Sequence, residues 1–122
     1  MSQPCFLLDE HVPKAIARGL YYREAEVQVF IMSGPGAPPI GTPDPDLLRW
    51  IEDHNCFLVT NNRSSMPTHL RDHLAAGRHV AGILVVPRRL SLGDVIDDLH
   101  LIWAASRPDE YQDQMVFLPL AR

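Results

Sequence analysis

The sequence predicts an α/β fold, a three-layer sandwich around a mainly parallel central sheet. Three observations carry that expectation. Short apolar runs alternate with stretches of helical periodicity, in the order βαβ, a long loop, then αβαβαβ. The segment Val80–Val86 is apolar throughout, as a central parallel strand covered on both faces should be. At 122 residues, 46% hydrophobic and 21% charged, the chain fits one globular domain with a real core.

The elements follow in order. Cys5–Leu8 is a short apolar strand ended by Asp9 and Glu10. A helix is expected from about Val12 to Tyr22, with Ile16 and Leu20 on one face and Pro13 in its first turn. Val27–Ile31 reads as the second strand on its β-branched content. Met32–Thr42 is too rich in Gly and Pro to be regular and forms a loop. Asp44 suits a helix N-cap with Pro45 at the first helical site, Leu47, Leu48 and Ile51 make the apolar stripe, and Asn55 is the stop. Phe57–Thr60 is the third strand. A helix from about Met66 to Ala76 ends at Gly77. After the strand Val80–Val86, Ser91 caps a long helix, Leu92–Ala105, with Asp94, Asp97 and Asp98 towards the positive end of its dipole. Met115–Leu118 is the last strand.

Composition narrows the function classes. A net charge of −4 argues against passive, tight nucleic-acid binding, which draws on many cation–phosphate contacts, but leaves room for an enzyme with a local basic rim. Of the 11 basic residues only Lys14 is a lysine; the arginines suit bidentate contact with phosphate or carboxylate. Cys5 and Cys56 each open an apolar run, and the expected reading is two buried free thiols in a reducing cytosol. Asp9 and Glu10 interrupt the first apolar stretch before it could serve as a signal peptide. No apolar segment approaches the roughly 20 residues that span a bilayer, so the expectation is a soluble, cytoplasmic protein with no membrane partner.

In a parallel α/β sheet, function gathers at the carboxyl ends of the strands. The first strand delivers Asp9 and Glu10 there, the third Asn61, Asn62 and Arg63, and the fourth Arg88 and Arg89, while the long loop brings Asp44 and Asp46. Oxygen donors from separate segments make a candidate hard-cation site for Mg²⁺ or Mn²⁺, which could activate a water against a phosphodiester. Plainer readings stand beside this one. Asp44 serves as a cap, Asp46 favours a helix dipole, Asn61 and Asn62 form turns, and Arg88 and Arg89 are a solvated rim. His69 and His73, four apart on one helix, could share a transition metal, yet no third ligand has matching spacing. His11 is a surface histidine at a helix start or a proton shuttle. Nucleophile elbow, phosphate-cradling loop and dinucleotide fingerprint are absent from the sequence. A phosphorelay receiver fails too, because the third strand exits into Asn61-Asn62 and the sole lysine is Lys14.

Three segments together, Phe6-Leu7-Leu8-Asp9-Glu10-His11-Val12-Pro13, Asp44-Pro45-Asp46-Leu47-Leu48 and Leu58-Val59-Thr60-Asn61-Asn62-Arg63, resemble the PIN-like family. The likeness is to its compact bacterial branch, often the toxin half of a toxin–antitoxin pair, and runs from Phe6 to about Trp103. It implies a metal-dependent ribonuclease in which Asp9 and either Asp44 or Asp46 bind Mg²⁺ or Mn²⁺; Arg63, Arg88 and Arg89, at the strand exits, are then the candidates to hold the RNA. The stretch after the third strand usually reads Thr-x-Asp-x-Asp in that branch. Here Asn62 and Ser64 stand at the two acidic positions, which removes two charges that a divalent ion relies on.

Two expectations follow. One is a ribonuclease with a partly eroded acidic site, Asp9, Asp44 and Asp46, in which Asn62 supports the metal or its water. The other is a catalytically inactive PIN-like module that binds RNA or a protein partner. An antitoxin would be such a partner, with an arginine entering the acidic pocket. The apolar helix Leu92–Ala105 is chiefly a core element and a candidate for homodimer contact.

Overall fold

The computed structural model describes residues 3–120. Five strands and four helices alternate: β1 (Cys5–Leu8), α1 (Ala15–Arg23), β2 (Val29–Ile31), α2 (Asp44–His54), β3 (Cys56–Thr60), α3 (Met66–Ala75), β4 (Ile83–Val85), α4 (Leu92–Ala105) and β5 (Met115–Phe117). All four strand pairings are parallel, in the order β2-β1-β3-β4-β5. The α/β sandwich expected from the alternation is what forms.

Alternation along each strand sorts the core into two layers. Phe6, Leu8, Val59 and Leu84 face one side and pack against Ile16, Leu20, Val95, Leu99 and Ile102 of α1 and α4. Leu7, Leu58 and Ile83 face the other, against Leu47, Leu48, Ile51, Met66 and Leu70 of α2 and α3. Gly19 lets α1 and α4 approach closely, since a Cβ there would meet Ile96 Cδ1 at 2.3 Å.

Several boundaries differ from expectation for local reasons. Helix α1 begins at Ala15 because turns take up the preceding residues, Val12 N–H bonding the Asp9 carbonyl at 3.0 Å and Ile16 N–H the Pro13 carbonyl at 3.2 Å. Val27 donates back to Glu24 in a turn, so β2 is shorter than its β-branched run. Val80 donates to Asp113 Oδ1 at 2.9 Å instead of joining the ladder, and β4 starts only at Ile83. Pro43, extended at φ −61° and ψ 147°, is the N-cap of α2, and Asp44 is its first helical residue. Asn55 ends that helix in the left-handed region at φ 54°, and Ser91 Oγ caps α4 by accepting from Asp94 N–H at 3.1 Å.

The cysteines correct a larger expectation. Cys5 and Cys56 are not free thiols but a disulfide, with Cα atoms 4.5 Å apart. The cause is register. β1 pairs β3 with Cys5 opposite Cys56, and directly opposed residues of neighbouring parallel strands point to the same face. A separation of 51 residues hides that adjacency in the sequence. The inference from free thiols to a reducing cytosol thereby loses its premise. Among the described residues no helix is long and apolar enough to cross a membrane.

Candidate functional site

The strand order reverses direction between β1 and β3: from β1 the chain moves outward to β2, then returns past it to β3. Crevices at the carboxyl side of such a switch point are where open α/β sheets bind ligands. β1 exits there into Asp9 and Glu10, and β3 ends in Thr60, followed by Asn61 and Asn62.

A continuous polar chain crosses this point. Asp9, 8% exposed, accepts from the fully buried Thr60 hydroxyl at 2.8 Å through Oδ2, and from the Glu10 backbone N–H at 2.8 Å through Oδ1. Thr60 Oγ1 in turn accepts from Asn62 N–H at 3.0 Å. The Asn62 amide nitrogen donates to Asp44 Oδ2 at 3.0 Å and to Ser65 Oγ at 2.8 Å. His69 Nε2 lies 3.7 Å from the same Asp44 oxygen. Asp9, Asn62 and Asp44, brought in by three separate segments, therefore belong to one network.

Asp46 does not join it. Its carboxylate is exposed and pairs with Arg49 at 2.8 Å, one turn along α2. Glu10 turns to the Gly/Pro loop, where Oε1 accepts from Gly41 N–H at 3.1 Å, and Gly41 holds φ at +91°, a conformation that favours glycine. His69 and His73 share no ligand position: His73 Nε2 sits 3.0 Å from Glu52 Oε1 and 3.2 Å from the His79 carbonyl oxygen. Thr60 and Ser65 are the members that sequence reasoning did not single out. A hydroxyl closing the apolar run Cys56-Phe57-Leu58-Val59 was the available signal for Thr60.

The donor set does not suit a catalytic divalent ion. Among the described residues no group of three or more His, Cys, Asp or Glu side chains is arranged to hold a metal. Asn62 could have lent its carbonyl oxygen, but that atom accepts from the backbone N–H groups of Ser64 at 3.3 Å and Ser65 at 3.2 Å. These bonds fix the amide's orientation and aim its NH₂ at Asp44, the face that repels a cation.

Three arginines stand exposed at the same edge: Arg63 after β3, and Arg88 and Arg89 after β4. Arg88 borders a cavity of about 260 Å³ on the α1/α4 side, next to His11 and Asn61 and lined by Pro13, Val86, Leu90 and Leu92 in front of the buried Val12, Ile16 and Val95.

A separate charged cluster lies on the flank where α2 and α3 meet the segment leading into β4. Glu52 accepts from Arg78 Nε at 2.8 Å and from His79 N–H at 3.2 Å, and His79 Nδ1 is 2.7 Å from Asp113 Oδ2. Burial pushes the Glu52 carboxyl up, but the bonds from Arg78 and the His79 N–H, with the charges of Arg78 and His73, outweigh it and hold it low. Asp113 is likewise held below its ordinary range: burial raises it, and the Val80 N–H and His79 prevail. His79 is raised by its hydrogen bond to Asp113 and by that carboxylate's charge.

The chain matches no protein-family model, no curated protein and no solved structure.

Proposed function

We propose that this chain is a PIN-like module that binds RNA at the carboxyl edge of its sheet and lacks a metal-dependent cleavage centre. The observation that carries the reading is the bonding of Asn62. With its oxygen on two backbone N–H groups and its nitrogen on Asp44, it presents a hydrogen-bond donor where a metal ligand would need a lone pair, and it occupies the Asp44 oxygen. The RNA half of the reading is supported by Arg63, Arg88 and Arg89 standing exposed around that edge. Such a rim holds phosphates through charge, so the affinity should fall steeply with salt.

The test is binding of single-stranded RNA across a salt series, with a calorimetric titration of Mn²⁺ beside it. The expected result is salt-sensitive RNA binding, weakened by Arg63→Gln and Arg88→Gln, with no heat from Mn²⁺ and no cleavage. The linkage of Asp9 to Asp44 through Thr60 and Asn62 favours a second reading, a Mg²⁺- or Mn²⁺-dependent ribonuclease of toxin type. Cleavage by the wild type in Mn²⁺, lost in Asp9→Ala, would install that reading instead.

A further inference from the structure

We infer that the cavity between the start of α1, the exit of β4 and the start of α4 seats a single nucleobase, with an adjoining phosphate on Arg88. The inference deepens the RNA reading and rests on it only for the source of the ligand.

Four features of the cavity converge on that chemistry. Its accessible lining is largely apolar, from Pro13, Val86, Leu90 and Leu92, with Val12, Ile16 and Val95 buried behind it, which suits a flat ring and not a hydrated ion. Its volume of about 260 Å³ is below the roughly 300–1,000 Å³ of sites that swallow drug-sized ligands, so it takes a ring and leaves the rest of the molecule at the mouth. Asn61 supplies a directional contact: its Nδ2 donates to the His11 carbonyl at 3.3 Å, and among the described residues its Oδ1 has no protein donor. That oxygen is free to accept from a ring N–H or exocyclic amine. Finally, none of the lining residues is acidic although the chain carries −4, while Arg88 and His11 stand at the rim. The rim is thus complementary to an anion next to the ring.

The cavity is distinct from the Asp9–Asn62–Asp44 network. It opens on the α1/α4 face, whereas Asp44, Ser65 and His69 belong to the α2/α3 face. The two meet along the strand exits, where the consecutive Asn61 and Asn62 bond on different sides, Asn61 to the His11 carbonyl and Asn62 to Asp44.

A free nucleotide and a nucleotide within RNA present the same chemistry, and the test separates them. The four nucleoside monophosphates, the four nucleosides, benzoate and a short single-stranded RNA are titrated against the whole protein by calorimetry. At least one monophosphate should bind saturably, with its nucleoside about tenfold weaker, the size of one charge-assisted hydrogen bond. Arg88→Gln should erase that difference without weakening the nucleoside. Val86→Phe, which fills the cavity from its rim, should abolish both, and Asn61→Leu, at an exposed position, should change the preference among bases even if Val86→Phe fails to fold. Saturable binding of a monophosphate with loss of RNA binding would assign the site to free nucleotides and overturn the RNA reading alone. RNA binding with no monophosphate binding, or binding indifferent to Arg88→Gln and Asn61→Leu, or benzoate binding as tightly as any nucleotide, overturns the inference and leaves the RNA reading standing.

Discussion

Thr60 shows how much one buried hydroxyl can organise. It donates to Asp9 and accepts from Asn62 N–H, joining the exits of β1 and β3 while itself fully buried. Thr60→Val keeps the shape and removes both bonds, leaving a buried carboxylate oxygen one donor short. The expected cost is about 1–3 kcal/mol of unfolding free energy, read by chemical denaturation; an unchanged midpoint would mean water replaces the hydroxyl freely. Asn62 makes the complementary case. Asn62→Asp places a second carboxylate against Asp44 Oδ2, so the metal-free protein should lose stability and acquire Mn²⁺ affinity, visible as a rise in Tm on adding the ion. A variant that neither weakens nor responds to Mn²⁺ would show that the amide's orientation does not govern this site.

Among the elements, β5 is the most conditionally held. It is a three-residue edge strand, and the turn before it is tied down by Asp113, which bonds both Val80 N–H and His79. Around this tie stand Glu52 and Asp53 from α2, His73 from α3, and Arg78 from the connection to β4. The depressed Asp113 and Glu52 contribute stability above the unfolded carboxylate range that is lost as pH falls through their lowered values. The raised His79 contributes stability present below its ordinary 6.5 and lost as pH climbs through its higher folded value. Protection factors in β5, that is exchange rates divided into each amide's intrinsic rate at the same pH, should therefore be highest in the mildly acidic window between and fall on both sides. Asp113→Asn should flatten that profile; a flat profile in the wild type would refute the tie. The elements themselves were legible wherever a local signal existed. Ser91 with the periodic run behind it marks α4 to the residue, and Asn55 marks the end of α2. Boundaries slipped where a side chain from far away decides, as when Asp113 draws Val80 out of the ladder.

For the molecule as a whole, the Cys5–Cys56 disulfide closes a loop across 51 residues of separation, for which chain entropy alone suggests about 4 kcal/mol. Replacing both cysteines by alanine should lower the unfolding free energy by about 2–4 kcal/mol without changing the fold, because Leu7, Leu58 and the helices over them still fill that layer. With both cysteines buried, thiol reagents should find nothing in the native protein even after brief reductant; prompt labelling would contradict that burial. The candidate site was legible in the same uneven way. The alternation of elements placed Asp9, Asp44 and Asn62 at one edge, and they do share a network. The sequence could not tell that Asp46, two residues beyond Asp44, turns to Arg49, nor which atom of Asn62 faces the acid. Arg49 lies one turn from Asp46, and the N–H groups of Ser64 and Ser65 orient Asn62, so both outcomes rest on local backbone geometry that residue types alone do not specify.

The interior position of β1, between β2 and β3, has a consequence for how the protein is made. Its neighbours are β2 and β3, and β3 ends at Thr60. On a ribosome, Phe6, Leu7 and Leu8 are thus synthesised some fifty residues ahead of the segment that covers their second edge, and the α3 and α4 layers come later still. A nascent chain of this design carries a sticky, half-paired strand for seconds at ordinary elongation rates. Slowing translation just before the β3 codons should therefore raise the aggregated fraction, an effect that a co-expressed holdase chaperone should reverse.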